Sequence, residues 1–269
     1  MTQTAATILQ KIVTRKRAEI AGHQNPESIA DLCAQAAQTA PPRGFGQALR
    51  ARQEKAAVVA EIKRASPSCG IIRKDFDPAA LAHSYEQAGA TCLSVLTDRD
   101  FFNGDDDHLR QARAACSLPV LRKDFVIAPS QIYQARALGA DCILLIVAIL
   151  EGSILSELHD VATGLGMDVL IEVHTASELE RARTLLDANT VLGINNRDLH
   201  SFSVSLETSC KLRQQVPEDQ LVITESGIHT PAHVELMQAN GINAFLVGEA
   251  LMREQDPGQA LKKLFSPWL

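Results

Sequence analysis

The sequence has no Lys/Arg-rich tract longer than the "TRKR" of Thr14 to Arg17, and its formal net charge is −6. General nucleic-acid binding needs dense cationic side chains against phosphates, so this balance argues against it. A small anionic substrate is not excluded, because local charge can oppose net charge. No apolar run reaches the roughly 20 residues that a membrane-spanning helix needs. The densest, "CILLIVAIL", is bounded by Asp141 and Glu151. No signal-peptide pattern precedes the first helical pattern. No CxxC pair occurs among Cys33, Cys69, Cys92, Cys116, Cys142 and Cys210, and several of these lie in apolar runs. Reduced, mostly buried thiols in a cytoplasmic protein are expected. There is no Ser or Cys nucleophile motif. "GFGQAL" and "GLGMDV" lack the third glycine and the preceding strand of a dinucleotide loop. No linker divides the chain.

A repeat is present instead. An amphipathic segment, a Gly, a small or polar residue and a dense apolar run recur in "SYEQAGATCLSVL", "QARALGADCILLIV", "ATGLGMDVLIEV" and "ELMQANGINAFLV". Each Gly reads as a helix C′ residue with positive φ, directly before a strand. The strands are continuously apolar, as parallel strands covered on both faces should be. Eight strand candidates follow: "VVAEIKR", "CLSVLTD", "PVLRKDF", "CILLIVA", "DVLIEVH", "VLGINNR", "LVITESG" and "AFLVGEA". Helical patterns fill the gaps, and the last of these starts with Thr230 as N-cap and Pro231 at N1. Eight β/α units in 269 residues predict a (β/α)8 TIM barrel over 58–269. A doubly wound open sheet is the alternative. Residues 1–57 do not fit the repeat and form a predicted N-terminal helical extension. It either covers the barrel's bottom or side, or reaches a substrate at the top.

The first strand raises a question of its own. "VVAEIKRASPSCG" places Glu61 and Lys63 inside an apolar run, on one face of a strand of period two. In these barrels chemistry lies at the C-terminal strand ends. Lys123 on strand three, Glu172 on strand five, Asn195 on strand six in phase with Arg197, and Glu225 on strand seven all fall late in their runs. With Glu61 and Lys63 they converge on one mouth. A purely structural ion-pair network is the plainer alternative. Gly227 and Gly248 end strands seven and eight, where such barrels hold phosphate; singly, each could be an ordinary turn glycine. Asp105 to Asp107 read as helix-start charge rather than a metal site. His229 and His233 flank Pro231 and make a poor zinc pair. His174 shares the Glu172 face and could sit at the mouth or simply pack.

Together "EIKRASPSCGII", "SVLTDRDFFNG", "LRKDFVI", "ADCILLIV", "LIEVH", "GINNRDL", "ITESGI" and "FLVGEALM" closely resemble the indole-3-glycerol phosphate synthases, barrel enzymes of tryptophan biosynthesis. The resemblance runs from "ILQKIVTRKRAEI" to the last strand and includes no fused isomerase domain. It implies a carboxy-lyase that needs no cofactor and no metal. The implied substrate is 1-(2-carboxyphenylamino)-1-deoxyribulose 5-phosphate, and the implied partners are other tryptophan-pathway enzymes. Carried over by motif, Lys123 would be the general acid for ring closure and Glu172 would serve dehydration. Glu61 and Lys63 would be a charge pair, with Lys63 reaching the substrate carboxylate or phosphate. Asn195 and Glu225 would support reacting hydroxyls. Ser66, Arg197, Ser226, Gly227 and Gly248 would bind substrate, the last three with Lys63 at its phosphate. Phe102, Phe125, Leu145, Leu199 and Leu246 would pack the anthranilate ring. Glu249 stands where some members have Ser, so only its backbone N–H could serve phosphate and its side chain must point away. Two rivals remain: a Schiff-base aldolase-type barrel using Lys63 or Lys123, and a phosphosugar-binding barrel without turnover.

Overall fold

The computed structural model describes residues 7–21, 26–52, 54–187, 190–199 and 201–269. Eight parallel strands close into a barrel: β1 (Ala57–Ile62), β2 (Cys92–Leu96), β3 (Val120–Lys123), β4 (Cys142–Ile146), β5 (Asp168–Val173), β6 (Thr190–Asn195), β7 (Val222–Glu225) and β8 (Ala244–Val247). Each pairs with its neighbour in sequence, and β1 closes onto β8 with Ala57 opposite Ala244. This is the expected barrel and leaves no place for an open sheet. The repeat glycines behave alike: Gly89, Gly139, Gly166 and Gly241 have φ of 91°, 90°, 74° and 73°. Thr230 caps its helix by accepting the His233 amide, with Pro231 in the first turn.

Strand alternation sorts the side chains into two cores. Val58, Ala60 and Ile62 face the helix layer, and Ala57 and Val59 face the barrel interior. Glu61 and Lys63 continue the inward phase. The same phase turns Cys142, Leu144 and Ile146 inward on β4 and sends Ile143 and Leu145 outward. Of the six cysteines, Cys92 and Cys142 are buried and the other four are partly exposed, so the thiols are less buried than expected; all are free. Among the described residues no helix is long and apolar enough to cross a membrane.

The N-terminal region serves three sides of the barrel. Helix α1 (Ile8–Ala21) lies over the C-terminal strand ends, where Ile8, Leu9 and Ile12 wall a cavity. Helix α2 (Pro26–Gln38) packs on the helix Pro129–Leu138. Helix α3 (Phe45–Arg50) plugs the bottom, with Phe45 and Leu49 fully buried in the inner core. Burying such a side chain is worth about 1.5–3 kcal/mol. The "GFGQAL" motif is therefore a plug: Gly46 donates its amide to Asp168 Oδ2 (3.1 Å) at the start of β5.

Candidate active site

The inward phase of five strands delivers charged and amide groups to the top of the barrel. From β1, Glu61 Oε1 meets Lys63 Nζ at 2.5 Å. From β3, Lys123 Nζ lies 3.0 Å from Glu172 Oε2 on β5 and 3.3 Å from Glu225 Oε2 on β7. From β6, Asn195 Nδ2 donates to Glu172 Oε1 at 3.3 Å. The other end of that amide accepts the Ser226 hydroxyl at 2.9 Å and the Arg197 backbone amide at 3.0 Å. Arg122 and Asp124, the neighbours of Lys123, turn the other way and bond to Asp106 and Thr97 respectively. The question posed by "VVAEIKR" is settled by geometry, since both charges face the cavity.

The electrostatics are those of a crowded, nearly dry cluster. Burial alone would lower the pKa of Lys123, but Glu172, Glu225 and Glu61 outweigh it and hold the ammonium cationic. Burial would raise Glu172, yet Lys123 and His174 outweigh it and keep the carboxyl ionised. Glu225 goes the opposite way. Burial, with repulsion from Glu172 and Glu61, carries it up to about 8 against the pull of Lys123. Two carboxyls beside one ammonium cannot both be comfortably ionised, so Glu172 is favoured as the anion and Glu225 is drawn toward its acid form.

Apolar and polar residues both line this cavity. Phe102 and Phe125, with ring centroids 6.1 Å apart, contribute with Leu144, Ile146, Leu199 and Leu246. The polar and glycine share comes from Ser66, Arg197, Ser226, Gly227, Gly248 and Glu249. Ser226 holds φ of 65°, a costly conformation for a residue with a Cβ. Asn196 Nδ2 pins its carbonyl at 3.0 Å. Gly248 has a reason that the sequence did not show. A Cβ there would lie 2.2 Å from Glu61 Oε1, so glycine makes room for the Glu61–Lys63 pair. The Glu249 carboxylate is turned onto Arg253 (2.8 Å) and the Cys69 thiol (3.2 Å).

Of the residues to which the resemblance gave a site role, Leu145 alone lies outside this cavity. It is buried against the helix layer, because β4 presents Leu144 and Ile146 inward. His174 is not at the mouth either but stands behind Glu172. Sequence reasoning missed Ile8, Leu9 and Ile12 as cavity residues, since amphipathic spacing does not say which end of the barrel a helix covers. It also missed Lys16, 3% exposed, which reaches Asp124 at 2.9 Å and Asp98 at 3.1 Å. A signal for it existed: Ile12, Lys16 and Ile20 are spaced by four, so the lysine interrupts an apolar stripe.

The chain matches the family described as Indole-3-glycerol phosphate synthase over residues 9–264. Among solved structures it is similar to a mutant tryptophan synthase alpha-subunit from the hyperthermophile Pyrococcus furiosus. That likeness has a TM-score of 0.61 at 13% identity and covers 79% of this chain and 99% of the other. At such identity it speaks for the barrel fold alone.

Proposed function

The chain belongs to the indole-3-glycerol phosphate synthase family, and from that premise we propose how its residues divide the reaction. The enzyme is a carboxy-lyase of tryptophan biosynthesis. It converts 1-(2-carboxyphenylamino)-1-deoxyribulose 5-phosphate into indole-3-glycerol phosphate by ring closure, decarboxylation and dehydration. The anthranilate nitrogen makes the carboxylated ring carbon the nucleophile, so no enzyme nucleophile is needed. As that carbon attacks the ribulose carbonyl, Lys123 gives a proton to the carbonyl oxygen. The ring is then no longer aromatic at the carboxylated carbon. The C–COO⁻ bond breaks, its electrons return to the iminium, and CO2 leaves. Glu172 then accepts a proton from the ring methylene, while the new hydroxyl departs as water. Asn195 and Glu225 border that hydroxyl, and Glu225 has a proton to offer up to about pH 8.

Binding follows the two kinds of lining residue. Phe102, Phe125, Leu199 and Leu246 take the aromatic ring, with Leu144 in place of Leu145. Lys63, Arg197, Ser226, Gly227 and Gly248 take the phosphate end, with Ser66 and the Glu249 backbone beside them. The chain divides near residue 57 into a helical extension and the catalytic barrel. Cytoplasmic residence and association with other pathway enzymes complete the reading, and the free thiols accord with the former.

The observation that carries the proposal is the ammonium of Lys123, held by Glu172 and Glu225 in a cavity lined by both aromatic side chains and glycines. The test is Lys123→Met, which keeps the stem's bulk and removes the proton. The indole chromophore of the product fluoresces, so turnover is read directly. A loss of about 10²- to 10⁴-fold in kcat is expected, with substrate affinity changed far less. A kcat within about threefold of the parent would move the acid role to Lys63.

A further inference from the structure

His174 has no part in the roles above. Its ring lies one residue beyond β5, behind Glu172, with the side chain 8% exposed. Nε2 is 3.3 Å from Glu172 Oε1 and Nδ1 is 3.1 Å from Glu178 Oε2. The approach to Glu172 is oblique, so this contact is an ion pair more than an aligned hydrogen bond. Glu178 is fixed in the first turn of the helix Ala176–Ala182. Its amide donates to Thr175 Oγ1 (3.2 Å), and its carboxylate accepts the His174 backbone amide (2.7 Å). A neutral imidazole has one N–H. A carboxylate at each nitrogen is satisfied only by the imidazolium.

The arrangement matters because Lys123 has two tasks. In the resting site its ammonium holds Glu172 Oε2, yet protonating a substrate carbonyl requires it to turn toward that oxygen. Glu172 would then be left with the Asn195 amide and with whatever stands behind it. We propose that His174 is a positioning residue, an imidazolium clamped between Glu178 and Glu172 that keeps the Glu172 carboxylate ionised and in place while Lys123 engages the substrate. The clamp rests on the reading of Glu172 as acceptor of the ring proton.

The charged groups facing the ring are Glu172 from its own strand and Glu178 from the following helix. Lys123 stands one step further, on the other oxygen of Glu172. Arg181 of the same helix bonds instead to the carbonyls of Val147 and Leu150. Burial alone would push the imidazole down, but Glu172 and Glu178 outweigh it and carry it up to about 10.

The test uses the full chain and reads the ring directly by NMR titration of the His174 imidazole. In the parent the ring stays charged through about pH 8; in Glu178→Gln and in Glu172→Gln its titration falls below that value. Steady-state profiles supply the second readout. In Glu178→Gln, kcat declines as pH rises through the lowered imidazolium titration, a limb absent from the parent. In His174→Gln, kcat falls by about 10- to 100-fold and the acid limb moves to higher pH, with KM within about threefold. A ring titrating near the ordinary value of about 6.5 in the parent, or a Glu178→Gln profile identical to the parent's, overturns the clamp. If His174→Gln fails to fold, the titration and Glu178→Gln still decide, since Glu178 lies outside the cavity. Full activity in Glu172→Gln with the ring still shifted in the parent would overturn the role of Glu172 instead.

Discussion

At the N-terminal end of the barrel, Asp141 is fully buried with both oxygens occupied. Oδ1 accepts the Arg43 amide at 2.7 Å, and Oδ2 accepts the Val120 amide at 2.7 Å and Arg113 Nη1 at 2.6 Å. At the C-terminal end, Glu225 is as deeply buried, yet its Oε1 has no hydrogen-bond partner and its Oε2 shares one lysine with Glu172. An unsatisfied buried polar group costs about 1–3 kcal/mol. The lower acid is thus tied to two backbone amides and a guanidinium at the barrel's base, which is how a charge serves a fold. The upper acid is left short of partners, which is how a reactive group waits for a substrate. The same barrel holds both, and the difference between them separates structural from reactive polarity better than burial does.

The sharpest way to break this comparison is at the bottom. Asp141→Ala would strand the Arg113 guanidinium and two backbone amides around an empty site. Breaking a buried pair from one side costs about 3–5 kcal/mol. Chemical denaturation should show a loss of that size, while kcat per folded molecule stays at the parent value. Lys123→Met is the counterpart at the top: kcat is lost, and because Glu172 keeps the Asn195 amide and His174 the stability cost should be the smaller of the two. A fall in kcat for folded Asp141→Ala would mean that the two ends are not separable.

A second effect, accumulating to at most about 4 kcal/mol between pH 5 and pH 8, is expected at the top, in the pH dependence of stability. Glu225 is raised from an ordinary 4.5 to about 8, by burial first. Between those values the folded state keeps a proton that the unfolded state has released. Stability therefore falls as pH rises through this window, by at most about 1.4 kcal/mol per pH unit. Glu225→Gln carries no such proton and should show no such slope. Melts of the two proteins should agree near pH 5 and diverge steadily toward pH 8, with the variant the more stable. Parallel curves would show that Glu225 is held ionised, like a satisfied acid.

Much of this was legible in the sequence because the eight-unit repeat is periodic and the late polar residues interrupt otherwise apolar strands. Where both faces of a strand are apolar, the sequence is silent about phase. That is why the resemblance could place Leu145 in the cavity when Leu144 and Ile146 line it. Relations between strands were hidden too. Nothing local says that Gly248 must be small because Glu61, far away in the chain, passes against it. The clamp on Glu172 was half visible: His174 shares the Glu172 face, but nothing in the sequence marked Glu178.

The smallest expected effect concerns the region that visits both ends. Helix α3 plugs the bottom through apolar contact, whereas α1 is fastened at the top through charge. Lys16 reaches Asp124, Asp98 and Glu19 at 2.9, 3.1 and 3.1 Å. Burial opposes its charge, but those carboxylates outweigh it and hold the ammonium cationic. Lys16→Met leaves both barrel acids partnered, because Asp98 keeps the Phe101 amide and Asp124 keeps Thr97 and the Phe125 amide. The barrel should therefore stand, and the loss should fall on the docking of α1. Ile8, Leu9 and Ile12 would then wall the cavity only part of the time, so KM should rise by about tenfold, equivalent to ~1.4 kcal/mol. Because the reacting groups are untouched, kcat should stay within about threefold. The reverse pattern, a fall in kcat at constant KM, would mean that Lys16 acts through Asp124 on the adjacent Lys123 and not through the helix that carries it.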